Sequence, residues 1–144
     1  MWRLVLDANV VASAFITPSG ASADIVRRIF RDARYIPIVS PSILTEYHSC
    51  LFRPKVRILI SARDAELSQF ISTLPMLGET VAGQHRTGVQ IRDPKDSMYI
   101  DAAVEGRAEW LVTGDGDLLE LKTFDRLRII RPREFLSILP LEKS

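Results

Sequence analysis

The chain has 144 residues, 47% of them hydrophobic and 26% charged, which suits one soluble domain with its own core and excludes a disordered chain. Its 19 Lys and Arg against 18 Asp and Glu leave a formal charge of +1, so no global field draws in a polyanion and any nucleic-acid site must be a local patch. A single cysteine, Cys50, excludes an internal disulfide and a cysteine-built zinc site and points to a cytoplasmic protein, while the opening apolar run is too short for a membrane span and is interrupted by Asp7 and Asn9.

Trp2 to Leu6 is an apolar run that stops at Asp7, the pattern of a buried strand with a polar residue at its C-terminal end. Thr17 to Gly20 reads as a turn. Ile25, Ile29 and Phe30 recur at helical spacing across 21–33, with Arg27, Arg28, Arg31 and Arg34 mostly on the solvated side. A second strand is expected over Tyr35 to Val39, after which Ser40-Pro41 supplies a cap and a first-turn proline for a helix to about Leu51. Pro54 and Asp64 start two further helices within 53–72. The segment from Met76 to Gln90 holds three glycines and reads as a connection with a short strand at Glu79 to Val81. Asp93-Pro94 repeats the cap-plus-proline start for a helix ending at Gly106. Trp110 to Thr113 is a further strand, running into Gly114-Asp115-Gly116-Asp117; Arg126 to Ile130 is the last, and a final helix begins near Pro132. The order is β-α-β-α-α-α-α-β-α-β-α, which predicts an α/β domain around a mainly parallel sheet, with ligands at the C-terminal ends of its strands.

Five carboxylates can reach that rim: Asp7, Glu46, Asp96, Asp115 and Asp117. Singly each has an ordinary role, as a helix cap, a first-turn acid, a turn residue or a solvated helical side chain. Jointly they come from four separate segments, and clustered carboxylates need a cation to stay ionised, typically Mg²⁺ or Mn²⁺. The matching chemistry is phosphoryl transfer, in which metal ions activate a water and stabilise the departing oxygen.

The stretches Leu4-Val-Leu-Asp7-Ala-Asn9-Val, Ser40-Pro-Ser-Ile-Leu-Thr-Glu46, Arg92-Asp-Pro-Lys-Asp96 with Tyr99, and Leu111-Val-Thr113-Gly-Asp115-Gly-Asp117-Leu-Leu resemble, in order and spacing, the successive motifs of PIN-domain ribonucleases. The nearest branch is that of short bacterial and archaeal PIN proteins linked to toxin–antitoxin systems, and the resemblance runs from about residue 3 to Leu136. It implies a three-layer α/β/α sandwich over residues 1–138, followed by a short tail at 139–144, and Mg²⁺- or Mn²⁺-dependent cleavage of RNA. It also implies an acidic quartet of Asp7, Glu46, Asp96 and Asp115, with Asp117 auxiliary and with Asn9 and Thr113 orienting the carboxylates or water. The partners it implies are an RNA substrate, a small antitoxin covering the acidic rim, and a second copy in a homodimer. One departure is Ser97, where many relatives carry another Asp.

RNA phosphates need cations beside the acids, and Arg53, Lys55, Arg57, Arg86, Arg92 and Lys95 are the candidates. His48 and His85 repeat no zinc-ligand spacing, Cys50 reads as a small buried apolar residue, and Phe15, Phe30, Phe70, Trp110 and Phe135 read as core aromatics. Two other readings compete. A catalytically silent RNA- or partner-binding PIN module has no reason to keep mutually repelling acids. A haloacid-dehalogenase-like phosphatase would use Asp7, Ser40 and Gly114-Asp115-Gly116, yet it wants an acid where Asn9 stands and gives Glu46 and Asp96 no task.

Overall fold

The computed structural model describes residues 1–141. Strand β1 (Trp2–Leu6) is its centre: Leu4, Val5 and Leu6 point alternately to opposite faces and all three are buried, so helices cover both sides of the sheet. The chain continues through α1 (Ala8–Ile16), α2 (Ala21–Arg31), β2 (Tyr35–Val39), α3 (Pro41–Phe52), α4 (Pro54–Arg57), α5 (Asp64–Leu77) and β3 (Glu79–Thr80). A 3₁₀ turn (Pro94–Asp96) then leads into α6 (Ser97–Glu105), β4 (Trp110–Val112), α7 (Gly116–Leu121), β5 (Thr123–Phe124), β6 (Leu127–Ile130) and α8 (Pro132–Ile138). The sheet order is β3-β2-β1-β4-β6-β5, parallel throughout except for the β5–β6 hairpin. This is the expected three-layer α/β/α arrangement, with α6 packed on β1, β2 and β4 and with α2 on β2 and α8.

Local chemistry explains the starts. The Ser40 hydroxyl accepts from the Ile43 N–H at 3.2 Å with Pro41 at the first helical position, and the Asp93 carboxylate accepts from the Lys95 N–H at 3.0 Å ahead of Pro94. Both are the predicted caps, although the second opens a 3₁₀ turn before α6 proper. Helix α1 was absent from the order expected from sequence. Its residues are apolar nearly all round, with Val10, Val11, Ala12 and Ala14 buried, so no polar face marks its period. Helix α5 runs to Leu77 rather than ending near Ser72, carried by the buried Leu74. The β5–β6 hairpin was also missed, because its turn uses Asp125 at φ 53° where a glycine would have signalled it.

The two ends of the sheet divide the work. At the strand starts, Trp2 lies against Tyr35, Trp110 and Phe135 with ring centroids 6.1–6.3 Å apart. Of the expected core aromatics, Phe135 and Phe70 are buried, whereas Phe30 is 39% exposed and stacks on Phe70. Three of the four arginines of α2 and its exit are committed locally: Arg27 pairs with Asp24, Arg34 pairs with Asp32, and Arg28 donates to the Pro140 carbonyl. Leu139 is buried in the core; of the expected tail, residues 142–144 lie outside the described residues.

Candidate metal centre at the strand-end rim

Strand order sets the order of the acids along the rim. Glu46 follows β2 on α3, Asp7 ends β1, and Asp115 follows β4, which places β1 and its acid in the middle. Asp7 and Thr113 sit one residue past the paired strands and stay in register, through Asp7 N–H to Val112 C=O at 3.0 Å and Thr113 N–H to Ile130 C=O at 3.0 Å. The 3₁₀ turn at the head of α6 brings in Asp96.

Thr113 is the pivot. Fully buried, its hydroxyl donates to Asp7 Oδ2 at 2.6 Å and accepts from the Asp115 N–H at 3.0 Å, so one side chain fixes two of the acids. The other oxygen of Asp7 accepts from the Asn9 N–H at 3.1 Å and caps α1. Below it, the Tyr99 hydroxyl accepts from the Ala8 N–H at 3.1 Å and the Tyr47 hydroxyl donates to the Leu6 carbonyl at 2.6 Å. These two buried tyrosines form the floor, a role that sequence reasoning missed for Tyr47 although its helical spacing to Ile43 was visible. Replacing Thr113 with Val should leave Asp7 Oδ2 and the Asp115 N–H without their partners. The expected cost is about 1–3 kcal/mol in denaturant unfolding; metal affinity measured by calorimetry should fall about 10–100-fold.

Burial raises the pKa of the Asp7 carboxyl, opposed by the Thr113 and Asn9 hydrogen bonds and reinforced by the nearby charge of Asp115. Asp96 is pushed up to about 7, first by desolvation and then by its hydrogen bond to Asp115 and the charges of Asp115, Asp7 and Asp93. Asp7, Asp96 and Asp115 are thus within one another's field. Among the described residues no three Asp, Glu, His or Cys side chains already form a cage around one point. The donor set still fits a hard cation, because Mg²⁺ keeps several waters and takes only one or two carboxylates directly, and a cation held by these acids would relieve the repulsion that helps raise Asp96.

The remaining candidates fall around this trio. Glu46 is half-buried and lines a cavity beside it, and Asp117 stands in the first turn of α7, lining a second cleft together with Arg92. Asn9 acts through its backbone; its exposed side chain lies 3.8 Å from Cys50 Sγ. Burial raises the pKa of the Cys50 thiol, as suits a buried small residue, and His48 stacks on Phe52. Arg53 and Lys55 are exposed at α4, whereas Arg57 is tied to Asp64 at 2.7 Å and to the Ile60 and Ala62 carbonyls. Lys95 lines the cavity with Arg86.

The glycine-bearing connection is pinned by two carboxylates of α6. Glu105 accepts from the N–H groups of Ala82 at 2.9 Å, Gly83 at 3.4 Å and His85 at 3.0 Å, which hold its carboxyl below the usual range. Asp101 Oδ1 accepts from the Thr87 N–H at 2.9 Å and hydroxyl at 2.7 Å. The segment 82–87 is therefore held against α6 as a strap, with Gly83 and Arg86 lining the cavity beside the rim.

The acids thus gather at the C-terminal ends of the parallel strands, the end at which open α/β sheets place their ligands. Residues 3–117 match the PIN domain family, and the chain belongs to it. Over 142 residues it is 28% identical to uncharacterized protein MJ1680 of Methanocaldococcus jannaschii, covering 93% of this chain and 89% of that one. A crystal structure of VapBC2 from Rickettsia felis, bound to a DNA fragment from their promoter, superposes with a TM-score of 0.54 at 14% identity, covering 88% of this chain and 96% of that chain, and so shares the fold. Among the described residues no helix is long and apolar enough to cross a membrane.

Proposed function

We propose that the chain is a metal-dependent endoribonuclease that hydrolyses RNA phosphodiester bonds with a metal-activated water. The observation that carries this reading is the convergence of acids at the strand-end rim, where the buried Thr113 ties Asp7 to the Asp115 backbone and where Asp96 is raised to about 7 by desolvation first and by Asp115 second. Asp115 also caps α7, but that role does not call for other acids beside it, and a divalent cation would remove the cost of gathering them. Asp96, Asp115 and Asp7 would hold Mg²⁺ or Mn²⁺, with Glu46 and Asp117 at the margins. The cation supplies charge neutralisation at the phosphate and an activated water. The chain's own residues orient: Thr113 fixes Asp7 and the Asp115 backbone, the tyrosine floor holds the strand end, and Lys95 and Arg92 offer cations to the RNA backbone on either side.

The fold shared with the VapBC2 structure, together with the family motifs, supports the toxin role, restrained by a small antitoxin that covers the acidic rim in the cytoplasm. A homodimer is the working assembly. The test is gel-resolved cleavage of labelled single-stranded and structured RNAs. Cleavage that requires Mn²⁺ or Mg²⁺ and stops with EDTA supports the reading; cleavage that survives EDTA overturns its metal dependence, and none in a broad panel overturns it in favour of a silent module.

A further inference from the structure

Beside the acidic trio, between the strap and the first turns of α3 and α6, lies a cavity of about 420 Å³, within the range of small-ligand pockets. It shares Glu46 with the rim, and Pro94 and Met98 give it an apolar wall on which a flat ring can rest. Arg86 stands on the strap side. Its Nη1 donates to the carbonyls of Gly83 at 2.7 Å and His85 at 2.9 Å, which orients the guanidinium, while Nε and Nη2 make no protein hydrogen bond among the described residues. A guanidinium pre-oriented in this way presents its free edge to a phosphate at little entropic cost. Deeper in, Asp101 is only 7% exposed and spends Oδ1 on Thr87, leaving Oδ2 without a protein partner. Among the described residues no fully buried side-chain oxygen lacks a partner, so Oδ2 is open to solvent, and Asp101 lines the cavity.

We infer that this cavity seats one ribonucleotide flanking the scissile bond, its phosphate on Arg86 and Lys95 and an N–H edge of its base on Asp101. The inference rests on the ribonuclease reading for which bond is scissile, but its binding test does not need turnover. The strap then serves as a built wall of the substrate groove, and the carboxylates of α6 that pin it position Arg86.

The experiment is fluorescence anisotropy of a labelled hexaribonucleotide with the full chain carrying Asp96→Asn, so that cleavage does not erode the ligand. Adding Arg86→Ala should weaken binding about tenfold, and should lower the slope of log affinity against log salt by about 0.7. Adding Arg31→Ala, the same charge loss at the exposed end of α2, should do neither. Equal losses in both variants, or none in Arg86→Ala, overturn the inference. Asp101→Asn keeps an oxygen for Thr87 but should change the ranking of oligo-A, oligo-C and oligo-U; an unchanged ranking overturns the base contact. If wild type cuts no RNA while Arg86→Ala still weakens binding, the ribonuclease reading fails and the nucleotide seat stands.

Discussion

Asp96→Asn should abolish metal-dependent RNA cleavage and at the same time make the metal-free protein more stable. Loss of partners that merely orient metal ligands costs about 10–100-fold, so loss of a ligand carboxylate should exceed about a hundredfold. The stability gain follows from the same geometry. Asp96 is raised from 3.8 to about 7, so its cost to the fold is absent below the lower value and complete above the higher one. In mildly alkaline buffer with EDTA, removing the charge should therefore stabilise the fold by about 1 kcal/mol, discounted because Asp96 is only partly buried. That is a Tm rise of roughly 2–5 °C. Thermal melts of both proteins with and without Mn²⁺ are the check, and Mn²⁺ should reverse the order by stabilising only the wild type. A variant that cleaves normally, or that melts lower than wild type in EDTA, would remove Asp96 from the centre.

Gly78→Ala should be the most damaging single methyl in the chain. A Cβ there would stand 1.8 Å from the Pro37 carbonyl oxygen and 2.7 Å from Pro37 Cδ and Cγ, all in the middle of β2. Neither a backbone oxygen nor a ring can move aside as a flexible side chain would, so β3 must separate from β2. Overpacking of this kind costs about 3 kcal/mol or more, which lowers Tm by roughly 10 °C. Because β2 leads directly into Ser40 and the helix bearing Glu46, the rim should loosen with it. Gly114→Ala is the control: its Cβ would meet nothing within 4 Å, and its melt should match wild type. Equal melts for Gly78→Ala and wild type would refute the close approach.

The parallel sheet and its rim were legible because strands and caps carry local signals, apolar β-branched runs and Ser-Pro or Asp-Pro pairs that need no tertiary context. Asp7 and Asp115 could be placed for the same reason, since strand ends are set by where those runs stop, and Asp96 by the Asp93-Pro94 start just before it. What escaped was decided by contacts distant in sequence. The buried α1 lacks a polar face, and Tyr47 enters the floor of the site only because its hydroxyl reaches the Leu6 carbonyl 41 positions away. The strap read as a loose connection because the carboxylates that pin it, Asp101 and Glu105, lie 14 or more residues further on. Arg57 looked like a free cation, and only the turn at Ile60 to Ala62 reveals that its guanidinium is occupied.

The position of β1 between β2 and β4 has a consequence for biosynthesis. Proteins emerge from the ribosome N-terminus first, so Asp7 is made early and its immediate neighbour β2 soon after. Its other neighbour, β4, and the hydroxyl of Thr113 arrive more than a hundred residues later, 106 positions along the chain from Asp7. A chain halted before that point has the first acid but neither Asp115 nor the threonine that aligns the two. The acidic trio therefore comes together only once the chain has grown past Asp115, so an incomplete copy carries its first acid without the groups that align it.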